Sequence, residues 1–158
     1  MPLFLLTIVL SGVLTALAPP GGYVPFEFPA LYTGPEFAST HWSGAQREQV
    51  YFALGLDYLY LVAYSQLLSR WCATRARRLP AISGRGSALR SAARWMWVAG
   101  AFDAAENTGL YFWLGGMATK PVAIGISVCA ASKFLILGLV VITMVSSLLL
   151  DRARRPIS

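Results

Sequence analysis

Four apolar runs divide the 158-residue sequence, at about residues 3–18, 49–69, 92–116 and 122–150. A transmembrane α-helix needs about 20 predominantly apolar residues, so the last three runs are long enough and the first is short. Charged residues make up 13% of the chain, against roughly 25% in a soluble domain. A soluble domain of this size could not bury so much apolar surface. The sequence therefore predicts one all-α domain, an integral membrane four-helix bundle.

The N-terminal run could pass for a secretory signal peptide. No Lys or Arg precedes it, however, and Pro19 directly follows the small residues at its end, which opposes cleavage. We therefore expect an uncleaved first span. The connection that follows, residues 19–48, is rich in Pro, Gly and aromatic residues. Aromatic side chains favour the membrane interface, so we expect this connection on the outer surface or over the helix ends.

The basic residues predict the orientation of the bundle. Nine of the 13 lie between the second and third runs or after the fourth, and Arg94 lies at the start of the third run, whereas the other two connections hold only Arg47 and Lys120. Short cytoplasmic loops carry the excess of Lys and Arg, so both termini are predicted in the cytoplasm, at a bacterial inner membrane. The arginines predicted to contact anionic lipid headgroups are Arg70, Arg75, Arg77, Arg78, Arg152, Arg154 and Arg155.

Other functional signals are weak. The net charge of +6 comes without a nucleic-acid-binding motif or aromatic platform, so we predict no nucleic-acid partner. Cys72 and Cys129 lie in different predicted regions and form no CxxC pair, which indicates free thiols. His41 is the only histidine and is too little for a metal site. No sequence motif indicates a cofactor.

The strongest functional signal is a set of ionisable residues inside the predicted spans. Asp57 lies in the second span, Asp103 and Glu106 in the third, and Lys133 in the fourth. Such groups cost a few kcal/mol each within a bilayer, so they face the bundle interior and find partners. At about 1.5 Å per residue, all four fall about 12–20 Å below the outer surface. We therefore predict that three helices bring their charges to one level.

Polar neighbours extend this predicted cluster. Tyr60 and Tyr64 share a helix face with Asp57, and Asn107 shares one with Asp103 and Glu106. We expect Lys133 to pair with one carboxylate and at least one other carboxyl to be protonated, because burial disfavours charge. Asp103 and Glu106, one helical turn apart, are the expected proton-sharing pair. The predicted ligand- or proton-binding residues are Asp57, Tyr60, Tyr64, Asp103, Glu106, Asn107 and Lys133.

Several functions are compatible with such a cluster. It could bind a proton, a cation or a small amphipathic ligand. It could instead only fix helix packing, in an accessory subunit of a larger membrane complex or in a homo-oligomer. A small lipid-modifying enzyme is a third alternative. Since the chain shows no recognisable nucleophile or metal set, the sequence leaves enzymatic activity undecided and leans against it.

Three segments of the predicted spans form a recognisable set, namely LDYLYLVAY at residues 56–64, DAAEN at 103–107 and Ser-Lys at 132–133. This set resembles a family of small uncharacterised bacterial four-helix membrane proteins. The family patterns are LDxxFPxxY, DxxEN and a Ser or Thr shortly before Lys, and the likeness covers roughly residues 45–140. Tyr60-Leu61 replaces the family's Phe-Pro. The resemblance implies the same topology and the same intramembrane residues, but no activity.

Overall fold

The computed structural model describes residues 2–19, 21–32, 42–80, 83–117 and 119–152, and all regular structure in these ranges is helical. Three of the helices have more than 30 residues, one has 15 and two are short. They are α1 (Pro2–Ala16), α2 (Tyr23–Glu27), α3 (Pro29–Tyr32), α4 (Gly44–Arg77), α5 (Gly84–Leu114) and α6 (Lys120–Arg152).

Local capping sets the ends of the long helices. The Ser43 hydroxyl accepts from the backbone N–H of Gln46, whose side chain accepts from the Ser43 N–H, so α4 begins with a complete capping box. Ser83 caps α5 by accepting from the N–H of Gly86. These caps satisfy backbone donors that the first turn leaves free.

The turn between α5 and α6 is tight. The N–H of Gly116 donates to the carbonyl of Trp113 and that of Met117 to the carbonyl of Phe112. This is the Schellman arrangement, and it requires the positive φ of 97° that Gly116 adopts. Helix α6 then starts at Lys120, with Pro121 in its first turn. The two helices are consequently antiparallel neighbours.

Helix α5 lies at the centre of the fold, packed against α4 on one side and α6 on the other. Helix α1 packs against α4, while α2 and α3 pack against α6. Two apolar cores lie along the long helices. The first contains Phe26, Trp42, Val50, Leu54, Leu110, Trp113, Leu114 and Ile126. The second contains Leu61, Tyr64, Cys72, Ala76, Leu89, Ala92, Ala93, Met96 and Val140.

Two glycines let the long helices approach closely. A Cβ on Gly100 would lie 2.7 Å from Ser65 Oγ of α4, and one on Gly109 would lie 2.7 Å from Ile126 Cγ1 of α6. A Cβ on Gly125 of α6 would have no neighbour within 4 Å. The α5–α6 contact therefore depends on Gly109.

The spans predicted at residues 49–69 and 92–116 imply a basic connection over residues 70–91, and this expectation is wrong. Helix α4 continues to Arg77 and α5 begins at Gly84, which leaves only residues 78–83 as a connection. Arginine is a good helix former, and buried Cys72 and Ala76 keep this extension packed against the second core. Arg70, Arg75 and Arg77 therefore project from a helix. Arg154 and Arg155 lie outside the described residues, as does His41.

The described part of the connection between α1 and α4 packs along the side of α6 and is not confined to the helix ends. Phe28 stacks on Phe134 of α6 with ring centroids 6.3 Å apart, and the N–H of Ala30 donates to Ser127 Oγ at 3.3 Å. Phe134 is 14 residues into α6, about 20 Å from its start at 1.5 Å per residue. Helices α2 and α3 therefore lie along the side of α6.

Among the described helices, only α6, over Lys120–Leu150, is long and apolar enough to cross a membrane by length and composition. Only 17% of its most apolar stretch is buried within the protein. Helix α1 is apolar but shorter. The fold is therefore an all-helical protein with one candidate membrane-spanning helix, and most of that helix is covered by nothing in the described chain.

Candidate functional site

The charged side chains meet at a cavity of about 320 Å³ between the two apolar cores. Helices α1, α2, α4, α5 and α6 all contribute to its wall, and most of the lining surface is apolar. The seven residues that the sequence predicts for a site all line it, namely Asp57, Tyr60, Tyr64, Asp103, Glu106, Asn107 and Lys133. The structure therefore places the predicted residues around one space.

The Lys133 ammonium lies among three carboxyl groups. Its Nζ donates to Asp103 Oδ1 at 2.9 Å and to Glu27 Oε1 at 3.4 Å, and it lies 2.9 Å from Glu106 Oε2. The lysine is only 6% exposed. Pairing of Lys133 with a carboxylate was predicted, but the prediction of a single partner is wrong. Three acidic residues from two helices, Glu27 of α2 and Asp103 and Glu106 of α5, share this cation.

Glu106 is the most deeply buried acid of the cluster, with 1% of its surface exposed. Its contact with Lys133 has the distance of an ion pair but not the geometry of a hydrogen bond. Neither carboxyl oxygen has a hydrogen-bond partner among the described residues. Oε1 therefore lies in the protein interior next to the cavity with its hydrogen-bonding capacity unused.

Two further hydrogen bonds join α4 to α5 at the same level. The Tyr64 hydroxyl donates to Asp103 Oδ2 at 2.8 Å, and the Asn107 amide donates to Asp57 Oδ2 at 2.7 Å. These distances confirm that the helices bring their rare polar groups to a common level. The Tyr60 ring packs against the Tyr64 ring at a tilted angle of 56°, with ring centroids 5.3 Å apart, and Tyr60 forms part of the cavity wall.

Glu27 is the member of the site that sequence reasoning missed. It lies at the end of α2, outside the predicted spans, and reaches Lys133 through the packing of α2 and α3 along α6. Burial raises the pKa of its carboxyl, and the Lys133 ammonium only partly opposes this shift. The available signal was its position between Phe26 and Phe28, which is unusual for a solvated acid.

The charges at the cavity do not balance. Four carboxyl groups, those of Glu27, Asp57, Asp103 and Glu106, line it with one ammonium group. Removing a charge from water is costly unless it is paired. Lys133 contacts three of the acids, whereas Asn107 is the only hydrogen-bond partner that the described residues give Asp57. The site therefore favours protons or an additional cation, and sharing of a proton between Asp103 and Glu106 stays a prediction.

The acids are not arranged as a metal centre. The described residues contain no group of three or more His, Cys, Asp or Glu side chains positioned to hold a metal ion. The Lys133 ammonium occupies the point on which three of the carboxyl groups converge. Cys72 and Cys129 are both free thiols, as predicted.

Comparisons with protein-family models, curated proteins and solved structures found no match to this chain. The fold and the site define an all-helical protein with a buried, acid-rich cavity. Its function is therefore inferred from the geometry of that cavity.

Proposed function

We propose that this protein is an integral membrane four-helix bundle, with α1, α4, α5 and α6 crossing the bilayer and both termini in the cytoplasm. Support comes from large apolar side chains that are half or more exposed on each of the four helices, including Phe4, Leu59, Trp97 and Leu135. Lipid covers such surfaces without cost. The arginines at the adjoining ends of α4 and α5 would then contact cytoplasmic headgroups.

Within the bilayer, the proposed function of the cavity is to bind a proton, a cation or a small amphipathic ligand. The observation that carries this proposal is the excess of carboxyl groups around one cavity. Helix packing alone would be served by a balanced pair, because each surplus buried acid costs free energy unless a proton or cation neutralises it. The resemblance to the small bacterial membrane protein family forms part of the same proposal.

The residues have distinct roles in this proposal. Lys133 acts as the fixed counter-ion of Asp103 and Glu106, and Asn107 orients Asp57 through its amide hydrogen bond. Asp57 and Glu106 are the groups with unused acceptor capacity. Tyr64 donates to Asp103 and holds α4 and α5 in register at the site.

Infrared difference spectroscopy in lipid nanodiscs tests the proposal. We expect the carboxylic C=O stretch of buried acids to appear as the pH is lowered, and part of this signal to disappear in Asp57→Asn. The matched control is Glu48→Gln, which alters an exposed acid on the same helix and is expected to leave the signal unchanged. If no buried carboxyl titrates and none responds to added cations, the proposed site is ruled out.

Native mass spectrometry from a mild detergent separates this proposal from an accessory subunit. If the cavity binds a ligand, we expect to detect this chain either alone or with an added mass of fixed size from the bound ligand. A different polypeptide retained at fixed stoichiometry, with Asp57→Asn and Glu106→Gln still assembling normally, would instead indicate a structural cluster in a larger complex.

A further inference from the structure

We infer that the cavity binds a small organic ammonium ion with an apolar body, and that its positive charge pairs with Asp57. This inference rests on the proposed function and specifies its ligand class. It follows from which acid is left without a cation, from the lining of the cavity and from the exposed edge of the cavity.

Asp57 is the carboxyl group that the internal cation does not reach. Glu27, Asp103 and Glu106 each lie within 3.4 Å of Lys133 Nζ, whereas Asp57 is bound by the neutral amide of Asn107. The buried Glu106 Oε1 also has no hydrogen-bond partner among the described residues, and both acids line the cavity. Asp57 therefore offers the charge that would pair with a ligand ammonium group, and Glu106 Oε1 offers an unused acceptor in the same cavity.

An organic cation fits this position better than a metal ion. Lys133 already occupies the centre at which three carboxyl groups converge, and no group of metal-ligating side chains is present in the described part of the chain. An ammonium group needs fewer ligands, since one carboxylate and an aromatic face are enough to bind it.

The wall of the cavity suits the remainder of such a ligand. Apolar side chains, among them Leu14, Leu54, Leu68 and Leu137, form most of the lining around the charged groups. The volume of about 320 Å³ is at the lower end of the range of roughly 300–1,000 Å³ for small-molecule sites. This combination favours a compact body with one charged end.

One aromatic ring already lies at a favourable distance from an ammonium group in this cavity. Lys133 Nζ lies 5.0 Å from the ring centroid of Phe134, a cation–π distance. Tyr60 is one helical turn from Asp57 and also lines the cavity. A ligand ammonium paired with Asp57 would have the Tyr60 ring as a second attractive partner.

Exposed residues of two helices line part of the cavity. They are Ser11 and Thr15 of α1 and Phe134 of α6. In the proposed bilayer this exposed edge of the cavity would lie beside lipid, where an amphipathic amine accumulates.

Isothermal titration of the full chain in nanodiscs tests the inference with three probes that share a phenyl group and differ in charge. Phenethylamine is the cation, 2-phenylethanol the neutral probe and phenylacetate the anion, and empty nanodiscs correct for partitioning into lipid. We expect only phenethylamine to bind saturably, and to bind about tenfold or more weakly to Asp57→Asn, since the loss of one partner of a desolvated charge pair at a binding site lowers affinity at least this much. Binding to Glu48→Gln should equal that of the wild type.

Equal binding of phenethylamine and 2-phenylethanol to the wild type would overturn the inference, and this comparison needs no variant to fold. Undiminished amine binding by Asp57→Asn would also overturn it, since the Asn side chain keeps the acceptor for Asn107 but loses the charge. If no probe binds while the buried carboxyl groups still titrate in the infrared, the amine is excluded and the proposed proton site stands. If neither occurs, both proposals fail.

Discussion

The three long helices and the N-terminal segment are built differently. Helices α4, α5 and α6 pack along most of their length and fully bury large side chains such as Leu89, Met96 and Leu110. In α1, by contrast, only Leu10 and Leu14 are buried. Helices α2 and α3 are short and depend on contacts with α6 for their position.

This difference shows how the site is divided between a rigid part and a covering part. The long helices fix Asp57, Asp103, Glu106 and Lys133 through contacts that each join two helices. The N-terminal segment adds Glu27 and apolar wall residues from the other side of the cavity. We therefore expect changes in the long helices to alter stability strongly, and changes in the N-terminal segment to alter it weakly.

The largest expected effect is that of Lys133→Met. This change keeps much of the side-chain volume but leaves three carboxyl groups without their shared cation. Breaking a buried ion pair by removing one partner costs about 3–5 kcal/mol. We expect a much lower melting temperature in detergent, measured by circular dichroism.

Lys120→Met is the matched control, because Lys120 is exposed at the start of the same helix. It should melt close to the wild-type temperature. Equal melting temperatures for the two variants would mean that the Lys133 contacts contribute little to the stability of the long-helix unit.

The second prediction concerns the contact between α5 and α6. Gly109→Leu places a side chain where a Cβ alone would lie 2.7 Å from buried Ile126. Overpacking of this kind costs typically about 1–3 kcal/mol, and we expect a value near the upper end because Cγ1 is an internal atom of the isoleucine. Urea unfolding in detergent measures the loss.

Gly125→Leu is the control for the same helix pair. A Cβ there meets nothing within 4 Å, and leucine favours a helix more than glycine does. This variant should be as stable as the wild type or more so. A Gly109→Leu protein as stable as Gly125→Leu would contradict the close packing of α5 on α6.

A smaller effect is expected for Tyr64→Phe, which removes the hydroxyl that donates to Asp103 Oδ2 at 2.8 Å. Asp103 retains Lys133 as a partner, so we expect a loss of about 1–2 kcal/mol, within the range for one buried hydrogen bond to a charged group. Tyr111→Phe is the control, since Tyr111 is 56% exposed. Equal stability of the two variants would indicate that the Tyr64 hydroxyl does not join α4 to α5.

The meeting of the charged side chains could be predicted because each is rare within an apolar run. Asp57, Asp103 and Lys133 need partners away from lipid, and helical rise places them at one level whatever the detailed packing. The rotation of each helix about its axis is less constrained by the sequence. The sequence does not distinguish Gly109 from Gly125, and only the packed structure shows that Gly109 faces Ile126 of the neighbouring helix.

The N-terminal connection could not be predicted in the same way. Its short helices have little stability of their own, and their position is set by tertiary contacts such as Phe28 on Phe134. No local pattern encodes a contact across more than 100 residues. Glu27 was missed for this reason. The C-terminal part of α4 and the N-terminal part of α5 were missed for another, because their clustered arginines were interpreted as a loop.

The smallest expected effect on stability lies in the N-terminal segment, at Glu27, and depends on pH. Burial raises the pKa of Glu27 above its ordinary value of 4.5 despite the nearby Lys133. The folded state then holds this proton more tightly than the unfolded state, so the protonated form contributes stability below pH 4.5, and that contribution is lost as the pH rises through the folded-state pKa.

Glu27→Gln mimics the protonated acid. We expect it to gain stability relative to the wild type by less than about 1 kcal/mol as the pH is raised from 4.5, measured by urea unfolding at a series of pH values. Glu48→Gln, at an exposed site, should show no such divergence. The opposite result is that the wild type becomes more stable than Glu27→Gln as the pH rises. It would mean that the attraction of Lys133 outweighs the cost of burying the Glu27 carboxylate, and that an ion pair holds the N-terminal segment to the long helices.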